Sequence, residues 1–78
     1  MTPQELEQQL QEGHALRAIG AYEYQYTADS ISSSTRWYRI NQRTPNGYTA
    51  PTLRYKTARG AVRQMLFYAP ADKWEVVS

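Results

Sequence analysis

Between Thr57 and Pro70 the chain carries apolar residues at the spacing of a single helical face. Ala58, Ala61, Val62, Met65 and Leu66 fall at i, i+3, i+4, i+7 and i+8, which is the stripe of an amphipathic helix. Thr57 is placed to cap it and Pro70 to stop it, so the pattern predicts a helix over 58–69. Gly60 sits inside that span at a cost of roughly 1 kcal/mol relative to Ala, for which a close helix–sheet contact is the expected reason. A one-sided helix needs an apolar surface to cover, and most of the remaining chain reads with period two. Helix on sheet, an α+β fold, is therefore the expected architecture.

Residues 16–26 alternate, with Ala18, Gly20, Tyr22, Tyr24 and Tyr26 on one side and Arg17, Ile19, Ala21, Glu23 and Gln25 on the other. This Tyr-rich alternation predicts a first strand. Gly20 marks a bulge or a close approach of another chain. The polar run Thr27–Ser34 reads as a mobile hairpin loop. Residues 35–43 form the second expected strand, with Arg36, Tyr38, Ile40 and Gln42 on one face and Trp37, Arg39, Asn41 and Arg43 on the other. Period two leaves open which face is outward. Pro45 and Asn46-Gly47 form a strong hairpin signal. Pro51 demotes the start of the next strand to an edge or bulge, leaving 52–56 as its better half.

At the N-terminus, Thr2, Pro3 and Glu5 have the arrangement of a capping box with Pro at the first helical position. They predict a helix over 3–12 that ends at Gly13. Only Leu6 and Leu10 give it an apolar face, so it either packs through a narrow seam or is loosely attached. Residues 74–77 suit a short terminal strand. The expected whole is one small α+β domain spanning 1–78. It has a short N-terminal helix, a three-stranded antiparallel sheet that becomes four-stranded if 74–77 joins, and one amphipathic helix packed on the sheet.

At 78 residues there is room for one core. The chain has no Cys, which excludes disulfides, thiolate metal sites and thiol nucleophiles. Ten aromatic residues (seven Tyr, two Trp, one Phe) argue against disorder. No apolar run nears the roughly 20 residues of a membrane span, and no secretory signal is evident; a cytoplasmic protein is expected. His14 is the sole histidine, and beside Gly13 it suits an interaction with the last carbonyls of a helix rather than a metal site. The carboxylates lack apolar surroundings that would raise a pKa for acid–base work, and there is no nucleophile elbow or phosphate-cradling Gly-rich loop. The expectation is no enzyme, no cofactor and no metal.

The formal charge of +2 hides an asymmetry. Residues 1–30 carry five carboxylates and one arginine, whereas residues 31–78 carry eight cations and two carboxylates. Seven of the nine cations are Arg, the residue suited to bidentate phosphate or carboxylate contacts and to stacking. The candidate binding set is Arg36, Trp37, Arg39, Arg43, Arg54, Lys56, Arg59 and Arg63. Three surfaces compete for the role: the Trp37/Arg39/Asn41/Arg43 strand face, which would stack bases and neutralise phosphates; the helix line Arg59, Arg63 and Phe67 with Lys56 before it; and the Tyr22/Tyr24/Tyr26 stripe.

The order helix–strand–strand–strand–helix is similar to that of double-stranded RNA-binding domains. Lys56-Thr57-Ala58-Arg59 resembles part of the Lys-Lys-x-Ala-Lys start of that family's second helix, with Tyr55 standing where the first Lys would be and Arg59 replacing the last. The first helix here is acidic, and the segment between the first two expected strands is Ser-rich without a matching motif. The likeness is one of architecture and order, and it implies contact with nucleic acid.

Two partners follow from these readings. The first is a nucleic acid held on an Arg/aromatic surface. The alternative is a larger protein, with the chain acting as a protein-interaction module such as a phage- or mobile-element-type inhibitor or adaptor, anchored by Trp, Tyr and Arg.

Overall fold

In the computed structural model, residues 1–32 and 34–77 are described; Ser33, inside the expected Ser-rich loop, and Ser78 lie outside the described residues. The N-terminal helix α1 (Pro3–Gln11) begins at the capping box. The Glu5 backbone N–H donates to Thr2 Oγ1 at 3.2 Å, and the Thr2 N–H donates to Glu5 Oε1 at 2.8 Å. It ends where Gly13 enters the left-handed region at φ +91°, with the Gly13 N–H on the Leu10 carbonyl and the His14 N–H on that of Gln9. That double closure is the Schellman pattern, which favours glycine. His14 is thus at the helix end, its ring 3.9 Å from the Glu12 carboxylate.

The sheet has five antiparallel strands: β1 (Leu16–Ile19), β2 (Gln25–Ile31), β3 (Trp37–Arg43), β4 (Leu53–Tyr55) and β5 (Glu75–Val76), in the spatial order β4-β3-β2-β1-β5. The second helix, α2 (Ala58–Tyr68), starts at Thr57, whose hydroxyl accepts the Gly60 N–H at 3.0 Å. Pro51 precedes β4 on an outer edge, as its missing N–H requires. The Pro45–Gly47 turn delivers the chain from β3 back toward it. The terminal strand joins β1 at the other edge.

Two expectations are corrected. Residues 16–26 do not form one strand. They form β1, a tight turn and the start of β2, with Leu16 opposite Ala28 and Ala18 opposite Tyr26. An unbroken strand of that length would run about 36 Å, longer than the molecule's longest dimension of 34 Å, and its outer half would lie beyond the reach of the helices. The turn at Ala21–Glu23 places Tyr22 (φ 59°) and Glu23 (φ 62°) in the left-handed conformation of a type I′ turn, without the Asn or Gly that normally marks one. Second, Thr27–Ile31 is not loop. It is the body of β2, paired with β3 along its whole length and with β1 as far as Ala28, which is buried.

Both helices pack on the same face of the sheet. The core joins Leu6 and Leu10 of α1, Ala58, Ala61, Val62 and Met65 of α2, and Leu16, Ala18, Tyr26, Ala28, Tyr38 and Ile40 of the sheet, closed by Ala69 and Trp74. α1 is therefore firmly seated through its narrow seam, since both leucines are fully buried. Leu66 is the exception on the α2 stripe and stays partly in solvent. Trp74 satisfies its one polar atom by donating Nε1–H to the Ala69 carbonyl at 3.1 Å. Tyr26 stacks on Tyr68 with ring centroids 4.3 Å apart, and burial pushes its hydroxyl pKa up. Gly20 is a point of close approach within the chain itself rather than to another chain: an added Cβ would lie 2.6 Å from the Tyr68 carbonyl oxygen and 2.7 Å from the Tyr26 ring.

Three outcomes are expected. Replacing Tyr22-Glu23 by Asn-Gly relieves the turn and stabilises by about 1 kcal/mol, read as a Tm rise of about 4–8 °C in thermal unfolding. Gly20→Ala lowers stability by about 1–3 kcal/mol through overpacking, measured by urea titration. The Glu5 carboxyl is held below its ordinary range, first by the Thr2 backbone N–H and then by the Thr2 hydroxyl. A lowered folded-state pKa gives stability that is present above the ordinary carboxylate value and lost as pH falls through the lowered one. Glu5→Gln should accordingly lose less Tm than the native chain between about pH 6 and about pH 3.

Candidate functional site

Once the helices claim one face of the sheet, strand alternation assigns the other. Leu16, Ala18, Tyr26, Ala28, Tyr38 and Ile40 point into the core. Their neighbours Arg17 and Ile19, Gln25, Thr27, Asp29 and Ile31, and Trp37, Arg39, Asn41 and Arg43 therefore share the opposite, helix-free face. Register brings Arg54 of β4 beside Arg39 and sets Glu75 of β5 beside Arg17. The open choice between Trp37 and Tyr38 is thus decided. Tyr38 is buried under the helices, and Trp37 lies half-buried on the open face, directly across from Ile31.

Electrostatics divides the cations of this face. Arg39 is clamped by Asp29, its cross-strand partner, with Nε and Nη2 donating to the two carboxylate oxygens at 2.6 and 3.0 Å. That bidentate pairing raises the Arg39 pKa, through the hydrogen bonds first and the charge attraction second. Arg17 pairs with Glu75 at 3.0 Å. Among the described residues no carboxylate pairs with Arg43, Arg54 or Lys56. Lys56 is exposed and follows β4 by a single residue. Asn41 accepts a hydrogen bond from the Thr52 hydroxyl at 2.8 Å through its amide oxygen, which leaves its amide N–H groups as donors on the face.

The structure brings Trp37, Arg39, Arg43 and Arg54 together, with Lys56 at the adjoining strand end. It places Arg36, Arg59 and Arg63 elsewhere. Arg36, of opposite parity to Trp37, donates to the Gln11 carbonyl at the end of α1. Arg59 lies 3.8 Å from Glu7 of α1, and Arg63 is exposed on α2. The Tyr22/Tyr24/Tyr26 stripe does not form a surface: Tyr22 is at the turn, Tyr24 is half-buried and Tyr26 is in the core. Residues of β2 that complete the open face, Thr27 and Ile31 above all, fell within the expected loop. The alternation of Thr27, Asp29 and Ile31 with Ala28 and Ser30 was the signal for them.

Among the described residues no helix is long and apolar enough to cross a membrane. Comparison of the chain with protein-family models, with curated proteins and with solved structures finds no match.

The two tryptophans report the orientation of β3 directly. In a Trp37→Phe variant the remaining emission comes from Trp74, which is 2% exposed. It should be blue-shifted and shielded from acrylamide relative to the native protein. Unchanged quenching would place Trp37 in the core.

Proposed function

We propose that this protein is a non-enzymatic binding domain that takes a nucleic acid on the open face of its sheet. The observation that carries this reading is the convergence on one uncovered face of Trp37, Arg39, Arg43 and Arg54, which are scattered over 18 positions of chain, with no carboxylate among the described residues paired to Arg43, Arg54 or the adjoining Lys56. Five cations (Arg17, Arg39, Arg43, Arg54 and Lys56) stand there against Asp29 and Glu75, an excess of three positive charges. Guanidinium and ammonium groups displace counterions from phosphates, and an indole offers a surface for a base. The chemistry asks nothing of a metal or cofactor. A cytoplasmic setting goes with this reading, because nucleic acid is met there.

A second reading rests on a different surface. Phe67 is 83% exposed on α2, near Arg63 and the partly exposed Leu66. An apolar anchor next to Arg is the kind of patch that seats a larger protein, as an inhibitor or adaptor of phage or mobile-element type would need.

Fluorescence anisotropy with labelled oligonucleotides separates the two. Nucleic-acid binding on the sheet face predicts affinity that falls with salt, and loss of about one unit of salt slope for each of Arg43→Ala and Arg54→Ala. Phe67→Ala should leave that binding unchanged. No measurable binding to DNA or RNA at low salt would sink the first reading.

A further inference from the structure

We infer that the nucleic acid held on this face is single-stranded, with one base stacked on Trp37 and the next on the guanidinium plane of Arg39. The inference rests on the function proposed above and specifies its ligand.

The shape of the face argues for this. Five strands at about 4.8 Å spacing make a surface about 19 Å across, and such a sheet does not enter a major groove of about 12 Å, which admits a helix or a two-stranded ribbon. Against the outside of a duplex it would meet only phosphates and sugars. Trp37 and Ile31, paired across β2 and β3, would then be pressed against charge. A single strand offers the complementary pattern, with unstacked base faces for the apolar pair and phosphates for the surrounding cations.

Arg39 is already held in place. Asp29 engages the Nε/Nη2 edge of its guanidinium, two of its five N–H donors, and fixes its plane while the side chain stays 41% exposed. It follows Trp37 by two residues on the same face, about 6.6 Å along the strand. A clamped guanidinium at that spacing serves as a second stacking plane held in advance of binding. Beyond it, the donors of Asn41 reach base edges, and Arg43, Arg54 and Lys56 neutralise phosphates.

The helix layer offers no competing phosphate surface. α1 carries Glu5 and Glu7, and Arg59 at the start of α2 is held by Glu7. With Arg63 on α2 balancing Glu5 on α1, the two helices together carry no net positive charge for a second phosphate-binding rail.

The test titrates the full chain with labelled oligo-dT and oligo-rU of about ten nucleotides and with a duplex of about the same length, following anisotropy and tryptophan emission. Single strands of either sugar should bind at least about tenfold tighter than duplex and quench Trp37. With three unpaired cations engaged, the salt slope should be about 2. Trp37→Ala should weaken single-strand binding by about five- to 150-fold, the range for one lost base stack. Arg39→Lys keeps the charge and loses the plane, so it should weaken binding at an unchanged salt slope. Circular dichroism of each variant confirms folding before its affinity is read. Duplex bound as tightly as single strand, or full single-strand affinity in both folded variants, overturns this inference while leaving a nucleic-acid function standing. Failure of every probe to bind at low salt removes that function itself.

Discussion

The contact between the α2 stripe and the inner face of β1–β3 is the interaction on which the remaining structure depends. Ala58 and Ala61 on the helix and Ala18 and Ala28 on the sheet are small and almost completely buried, which lets the two layers approach closely while Val62, Met65, Leu16 and Ile40 fill the space around them. Burial of apolar area at about 25 cal/mol per Å² is the main favourable term for a domain of this size, and with no cysteine there is no covalent substitute for it. Once that face is buried, period two leaves no freedom on the other side. The same packing that stabilises the domain exports Trp37, Arg39, Asn41 and Arg43 to solvent.

Charge follows the same division into layers. The acids of the N-terminal third, which looked like a simple counterweight to the basic remainder, are divided between α1, which holds Glu5 and Glu7, and the segments after it. There Glu7 pairs with Arg59, Glu5 serves the N-terminal cap, and the C-terminal carbonyls receive Arg36. On the sheet's open face two carboxylates are already committed, Asp29 to Arg39 and Glu75 to Arg17. Among the described residues, the cations of that face left without a carboxylate are Arg43, Arg54 and the adjoining Lys56, near β3 and β4, while Arg63 and Lys73 stand apart from it. A formal charge of +2 spread evenly would carry no information about a partner, whereas this arrangement has a direction.

Local signals were legible wherever local physics decides the outcome. The capping box at Thr2 and Glu5, the stop at Gly13, the α2 stripe and the Asn46-Gly47 turn each depend on residues within a few positions of one another, and each stands where those residues put it. The failures lie where a local preference was overruled. Tyr22 and Glu23 have no preference for the left-handed region, yet they occupy it because β1 and β2 must lie side by side under the helices. Thr27–Ile31 has the composition of a loop and forms a strand because β3 supplies partners to its backbone along its whole length and β1 flanks it as far as Ala28. Of the candidate binding residues, the strand positions converge and Arg36, Arg59 and Arg63 do not, because a list of cations contains no statement about which layer each belongs to.

The amino-acid sequence by itself determined that this protein is an α+β chain built on an amphipathic helix and alternating strands, since hydrophobic period and capping are properties of neighbouring residues. It also determined that Trp37, Arg39 and Arg43 share one face of β3, since they stand at even spacings along it. Only the tertiary structure decided which side of that strand faces water, because the two faces of a strand are equivalent until a helix covers one of them. The same event split the expected first strand in two, raised a loop to a central strand, and sorted eight scattered candidates into five on or beside the open face, two that contact α1 and one, Arg63, exposed on α2.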